Sequence, residues 1–285
     1  MRYLQCVLFS GMLALSACGD DTTPAANNDT PMNNDDADAG TNNGDAGTNN
    51  ADAPSAPVAV EVTNNLTMFD WLSGGTLAGV NVCTNDENLD CAVTDAEGRV
   101  SFTNMVTNGD LVEVRADKEG YFPFLVQWEV TDAVAGQVYD TNWVLAEVSA
   151  LDLVSGALGG EFDDAKGHAT VQVFGPAAID GTRPFMVGAT VTSAAASEFG
   201  PKYFNAVDQL ANLGPFGDDG AGTTEEGMAA FFNVDPGTAE FTVTAEGHEC
   251  VNGTAGLPSE TATVASLIEA GHVTYIFVVC ELAGD

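Results

Sequence analysis

One pattern in this 285-residue chain is written twice, and a fold has to accommodate both copies. Gly79-Val-Asn-Val82 corresponds to Gly188-Ala-Thr-Val191. Thr94-Asp-Ala-Glu-Gly-Arg-Val-Ser-Phe-Thr-Asn-Met105 corresponds to Thr223-Thr-Glu-Glu-Gly-Met-Ala-Ala-Phe-Phe-Asn-Val234. At the same offset Val112, Val114 and Ala116 meet Phe241, Val243 and Ala245, and Glu119-Gly-Tyr121 then meets Glu246-Gly-His248. A period this long marks two copies of one folded unit. Inside each copy, short β-branched and aromatic runs alternate with Gly, Asn and Asp turns, as in a sandwich or barrel. Val112, Val114 and Ala116 alternate with Glu113 and Arg115, which gives a strand one buried and one wet face. Expected strands in the first copy are Val58–Val62, Gly79–Cys83, Arg99–Phe102, Leu111–Ala116, Phe122–Val130 and Gln137–Leu145. Gly98 and Gly227 are expected at positive φ in the turn entering a strand, with Phe102 and Phe231 at one shared core position.

The order Gly-Val-x-Val, Thr-Asp-x-x-Gly-Arg-x-x-Phe, then an alternating strand ending in Glu-Gly-Tyr, resembles the carboxypeptidase regulatory-like domain, whose transthyretin-like sandwich is close to the Cna-B domains of surface proteins. The resemblance covers residues 58–147 well and 167–283 more loosely, because His248 stands where Tyr is usual. It implies an all-β chain of two tandem transthyretin-like antiparallel sandwiches, 58–147 and 167–285, joined by a short helix within a 148–166 linker. Glu147–Leu158 followed by Gly159-Gly160 reads as that helix with a glycine stop, capped by Ser149 or Asp152.

The second copy carries an insertion. Eleven residues separate Val82 from Thr94, whereas thirty-one, residues 192–222, separate Val191 from Thr223. Pro201 precedes Tyr203, Phe204, Val207 and Leu210 on one helical face, and Gly214 follows, so an amphipathic helix of about three turns is expected over 201–213. It serves either as a lid on the sandwich or as a binding element for carbohydrate or peptide, with those four side chains as the contact set.

The N-terminus carries an address. Arg2 precedes a short apolar run ending in small residues, a secretory signal over residues 1–17. Leu15-Ser16-Ala17-Cys18 resembles the lipobox of bacterial lipoproteins, which implies cleavage before Cys18, acylation of its thiol and insertion into a lipid bilayer. The expected location is the bacterial cell envelope, at the outer membrane, facing periplasm or cell surface. Residues 18–57 are an Asp/Asn-rich tether in which Asp38-Ala-Gly-Thr-Asn-Asn43 recurs as Asp45-Ala-Gly-Thr-Asn-Asn50. It has nothing to bury against the cost of ordering it. As a coil, residues 20–57 reach on the order of 35 Å, and about 130 Å pulled straight.

Charge and cysteines narrow the roles. The formal net charge is −35, and loss of Arg2 with the signal makes it −36. A field of that sign repels phosphate backbones, so no nucleic-acid partner is expected. Of six cysteines, Cys6 leaves with the signal and Cys18 takes lipid. Cys83 and Cys91 flank a short polar loop and are paired, leaving Cys250 with Cys280, as an oxidising compartment allows. A four-thiolate zinc site needs closer spacing.

No enzymatic motif appears: no His-Glu-x-x-His, no Gly-x-Ser-x-Gly, no phosphate loop. The fold's hydrolases close on Tyr-Arg-Gly-Ser, whereas this chain closes on Glu-Leu-Ala-Gly-Asp. His168 and His272 open strands and are expected to point outward or cap edges. The expectation is a non-enzymatic structural or adhesive surface module without a cofactor. A weak calcium loop is the remaining metal reading, at Asp86, Asn88 and Asp90, whose oxygens alternate in a loop that lacks the glycine of an EF-hand.

Overall fold

The computed structural model describes residues 58–130, 135–178, 182–206, 214–217, 220–253 and 263–284. The signal, Cys18 and the tether lie outside the described residues, as do Val207, Leu210 and most of the expected 201–213 helix. From Ala59 onward the chain forms one compact unit.

The first half contributes β1 (Val60–Asp70), β2 (Asn81–Thr84), β3 (Ala92–Val93), β4 (Arg99–Val106), β5 (Leu111–Asp117), β6 (Phe124–Glu129) and β7 (Gln137–Leu145). Helix α1 (Val148–Leu158) follows. The second half contributes β8 (Gly167–Phe174), β9 (Thr190–Ser193), β10 (Ser197–Tyr203), β11 (Met228–Val234), β12 (Gly237–Thr244), β13 (His248–Asn252), β14 (Thr263–Ile268) and β15 (Val273–Leu282).

The two halves repeat one topology. In the first, β1 pairs antiparallel with β4 and parallel with β7, and β5 lies between β2 and β6. In the second, β8 pairs antiparallel with β11 and parallel with β15, and β12 lies between β9 and β14. Both sandwiches therefore contain a parallel pair alongside their antiparallel ladders. The repeat extends to single hydrogen bonds. The buried Thr94 hydroxyl donates to Leu77 O at 2.7 Å and accepts from Val80 N at 3.0 Å. The buried Thr223 hydroxyl does the same with Met186 O at 2.5 Å and Ala189 N at 3.0 Å. Gly98 (φ +77°) and Gly227 (φ +59°) take the expected left-handed turn, and a Cβ would stand 2.8 Å from Met68 O or 2.6 Å from Val173 O. Only glycine lets the turn approach the neighbouring strand this closely.

Alternating side chains fill each core. Leu66, Met68, Phe102 and Trp143 of one sheet meet Val82, Val114, Phe124 and Val126 of the other. Ala169, Val171, Phe231 and Ile276 meet Val191, Phe241, Val243 and Val264 in the second sandwich. Phe102 and Phe231 occupy the matched core position, 5% and 1% exposed.

The sandwiches are fused rather than strung. Residues Val273–Tyr275 of β15 pair in parallel with Phe124–Val126 of β6, making one nine-stranded sheet of order β10-β11-β8-β15-β6-β5-β2-β3, with β13 on the remaining edge of β15. The core crosses this boundary, because Phe174, Phe277 and Val279 join the first sandwich's cluster and Phe277 meets Trp143 edge-on at 5.3 Å. Arg115 of β5 holds Glu269, next to β14, through both guanidinium ends, with the NH2 contact at 2.7 Å.

Three local expectations are corrected. β1 runs to Asp70 rather than ending at Val62. The Asn64 and Asn65 amides are satisfied across the sheet, Asn64 Nδ2 donating to Asn104 Oδ1 and Asn65 Nδ2 to Asp140 Oδ1. Helix α1 does stop at Gly159 (φ +72°), but its N-cap is Glu147, without a side-chain cap from Ser149 or Asp152; Ser149 instead donates to Glu147 Oε2 at 3.0 Å. The insertion begins with a strand: Ser197–Tyr203 is β10, paired antiparallel with β11, so Pro201, Lys202 and Tyr203 are extended rather than helical. Tyr203 and Phe204 are adjacent and face different clusters, which is a period of two and not of a helix.

Candidate functional site

The two aromatic side chains of the expected contact set that are described are spent on packing. Tyr203 is 2% exposed in the second core, its hydroxyl accepting from Val191 N at 3.2 Å, and Phe204 is 5% exposed. Phe204 joins Leu151 and Val154 of α1, Met228, Ala230 and Phe232 in a cluster against which Trp71, Phe122 and Phe162 also rest. This cluster is the seam. β8 and β11 are buried along their whole length because one face fills the second core and the other lies under α1 and the first sandwich. Lys202 sits 6.0 Å from the centre of the Phe216 ring, a cation–π contact.

At the middle of the seam lies His168. It opens β8 as expected but does not point outward: it is 3% exposed, 4.7 Å from the Phe162 ring and 5.7 Å from Phe122. Its Nδ1 accepts from Asn233 N at 3.3 Å. Burial among aromatic rings penalises the charged imidazolium and pushes its pKa down to about 4, against a smaller opposing pull from Asp164. The cavity beside it measures about 40 Å³, room for ordered water at most. The periodicity of β8 gives no sign of this burial, because the apolar partners come from α1, β11 and the chain around Phe122.

A second recess opens where the sandwiches diverge below the β6–β15 pairing. Leu111, Gln127, Trp128, Asn252, Ser266 and Leu267 are among its walls, and its volume is about 390 Å³. Gln127 Oε1 accepts from Leu267 N at 3.1 Å across it, while Gln127 Nε2 donates to Glu113 Oε2 at 2.6 Å.

Both expected cysteine pairs are bonded, Cys83–Cys91 and Cys250–Cys280. Cys250 and Cys280 are directly opposed in the β13–β15 ladder and lie in the core. The loop closed by the first pair places Asp86, Asn88 and Asp90 close in sequence, but Asp86 Oδ1 accepts from both the backbone N and Nδ2 of Asn88, at 2.9 and 3.0 Å. Those bonds lower the Asp86 pKa and turn the Asn88 amide donor, not its carbonyl, toward the carboxylate. Among the described residues no group of three or more His, Cys, Asp or Glu side chains is arranged to hold a metal ion.

Near the start of α1, Tyr121 donates to Glu147 Oε1 at 3.3 Å, and burial, then the charge of Asp70, raises its pKa to about 12. Asp70 Oδ1 accepts from Ser73 N at 2.5 Å, while Oδ2 is buried without a partner.

No protein-family model and no curated protein sequence matches the chain. Among solved structures it is similar to the Bacillus anthracis TIE protein at 15% identity and a TM-score of 0.25, covering 78% of this chain and 34% of that one. The chain thus spans about a third of that protein. A minor pilin of Streptococcus agalactiae is 12% identical with a TM-score of 0.27, covering 79% of this chain and 97% of the pilin. The shaft pilin SpaA of Lactobacillus rhamnosus GG is 10% identical with a TM-score of 0.21, covering 80% and 99%.

Proposed function

We propose that this chain is a non-enzymatic structural or adhesive module of the bacterial cell envelope, held to a bilayer by an acylated Cys18 and carried on the 18–57 tether. The proposed divisions are carboxypeptidase regulatory-like sandwiches at 58–147 and 167–285 around a 148–166 linker. The observation that supports it most is how the aromatic side chains are used. Trp71, Phe122, Phe162, Phe204 and Phe232 seal two sandwiches into one body and leave only about 40 Å³ of cavity among them. Such a body suits bearing load or spacing other components more than chemistry. No helix among the described residues is long and apolar enough to cross a membrane. More than one acyl chain is required for stable anchoring, as a lipoprotein N-terminus supplies. Cys18→Ser should move the protein from the detergent phase to the aqueous phase, or leave it unprocessed, on detergent phase separation. A wild-type protein already in the aqueous phase overturns the anchored reading.

A glycan- or peptide-binding role finds its support in the recess beside Trp128 rather than in Tyr203 and Phe204. Pull-down on cell-wall glycans with Trp128→Ala as the control separates that role from a purely structural one.

A further inference from the structure

The duplicated topology exposes an edge in one sandwich that is covered in the other. β11 carries β10 on the side away from β8. β4 is its counterpart, pairs with β1, and ends its sheet on the other side. No described strand lies against that edge. Beyond Arg99, a charged residue whose N and O are held by Asp95 on the open side, β4 lacks the devices that normally protect an edge. Its eight residues, Arg99-Val-Ser-Phe-Thr-Asn-Met-Val106, contain no proline, and the register with β1 is continuous from Val60↔Val106 to Thr67↔Arg99. Most of the other terminal strands are guarded. β3 has two residues and β9 four. β7 carries Asp140, and the open side of β14 is occupied at Leu267 N by Gln127. β10 contains Pro201 and a register shift. Long, regular and unguarded edges are templates for another strand.

Charge identifies the occupant. The chain has 42 acidic against 7 basic residues, yet β4 has no carboxylate, and its solvent face presents Arg99, Ser101, Thr103 and Met105, the last 60% exposed. We propose that β4 pairs antiparallel with β4 of a second copy of this chain across a two-fold axis, joining two three-stranded sheets into one of order β7-β1-β4-β4-β1-β7. An isologous edge of this kind is self-complementary. Antiparallel pairing centred near Phe102 lays the Arg99 stem of each copy along Met105 of the other. It also repeats for the first sandwich what β10 does within the second. Long-range repulsion between two strongly acidic bodies opposes the contact and is screened by salt. The inference is independent of lipid anchoring and goes beyond the structural role by naming the partner.

The test is sedimentation of the full chain in mild detergent, at ionic strengths giving Debye lengths of roughly 30 and 3 Å, with amide hydrogen exchange followed in the same samples. The expected result is a concentration-dependent dimer that strengthens with salt, with slowed exchange concentrated in residues 99–106. Met105→Lys should weaken it roughly tenfold or more by setting a lysine against Arg99 of the other copy, and leave the fold of the single chain intact. A monomer at every salt and concentration overturns the proposal. So does a dimer whose 99–106 amides exchange as in the monomer, or one that Met105→Lys leaves equally tight.

Discussion

The first sandwich is the repeat in its plain form; the second is the same repeat with its edges covered. In the first, the β4-β1-β7 sheet has three strands and two open sides. In the second, the equivalent β11-β8-β15 core acquires β10 on one side and β13 with β6 on the other. The additions come from the 192–222 insertion, from a strand closed by its own disulfide, and from the neighbouring sandwich. What differs between the copies is therefore how each disposes of unpaired backbone, and the Thr94 and Thr223 bond networks show that the inherited part remains unchanged. Burial follows the same division. β4 alternates exposed and buried along its length, whereas β11 is buried throughout.

The largest expected effect tests whether the covering is structural. Phe204→Ala should cost about 3–5 kcal/mol, measured by denaturant unfolding, because the ring lies in the seam cluster between β11 and Trp71. An unchanged midpoint removes the insertion from the scaffold and returns it to a binding role.

The two disulfides sharpen the contrast next. Cys250–Cys280 spans 30 residues and Cys83–Cys91 spans 8. Replacing both cysteines of the long pair with Ala should cost roughly 3–4 kcal/mol, and of the short pair roughly 2–3, in the chain-entropy model. The reverse order in thermal melts means that the short loop is held by more than its ends.

Acid gives an effect comparable with that of the disulfides. The folded His168 pKa of about 4 lies below the ordinary value of 6.5, so the unfolded chain binds the proton first and stability falls as pH drops through that window. The full difference is about 3 kcal/mol, reached near pH 4. Strand register places Thr63 of the first sandwich opposite Val138 as His168 stands opposite Val273, and Thr63 does not titrate. His168→Phe should flatten the slope of stability against pH between 6.5 and 4; an unaltered slope assigns the acid sensitivity to carboxylates.

Legibility in the sequence followed the range of the interaction. The seven-residue alternation of β5, the Gly98 and Gly227 turns and the Gly159 stop are set by neighbours in the chain, and reading them needed nothing else. The β7 bounds matched for the same reason. Tyr203 and Phe204 show the opposite case. Their spacing with Val207 and Leu210 also fits a helix, and pairing with β11 decides for a strand at Tyr203. His168 looked like a polar strand opener because its partners Phe122, Phe162 and Phe232 arrive from distant segments.

The sequence by itself determined the repeated sandwich, the cysteine pairing and the turn glycines, since periodicity, spacing and positive φ are local quantities. Tertiary structure alone decided that β6 and β15 would pair, that Arg115 would meet Glu269, that His168 would be dry and that β4 would be left open. Each of these depends on which surfaces meet, and removal of water from a side chain or a strand edge is a property of that meeting rather than of the residues on either side.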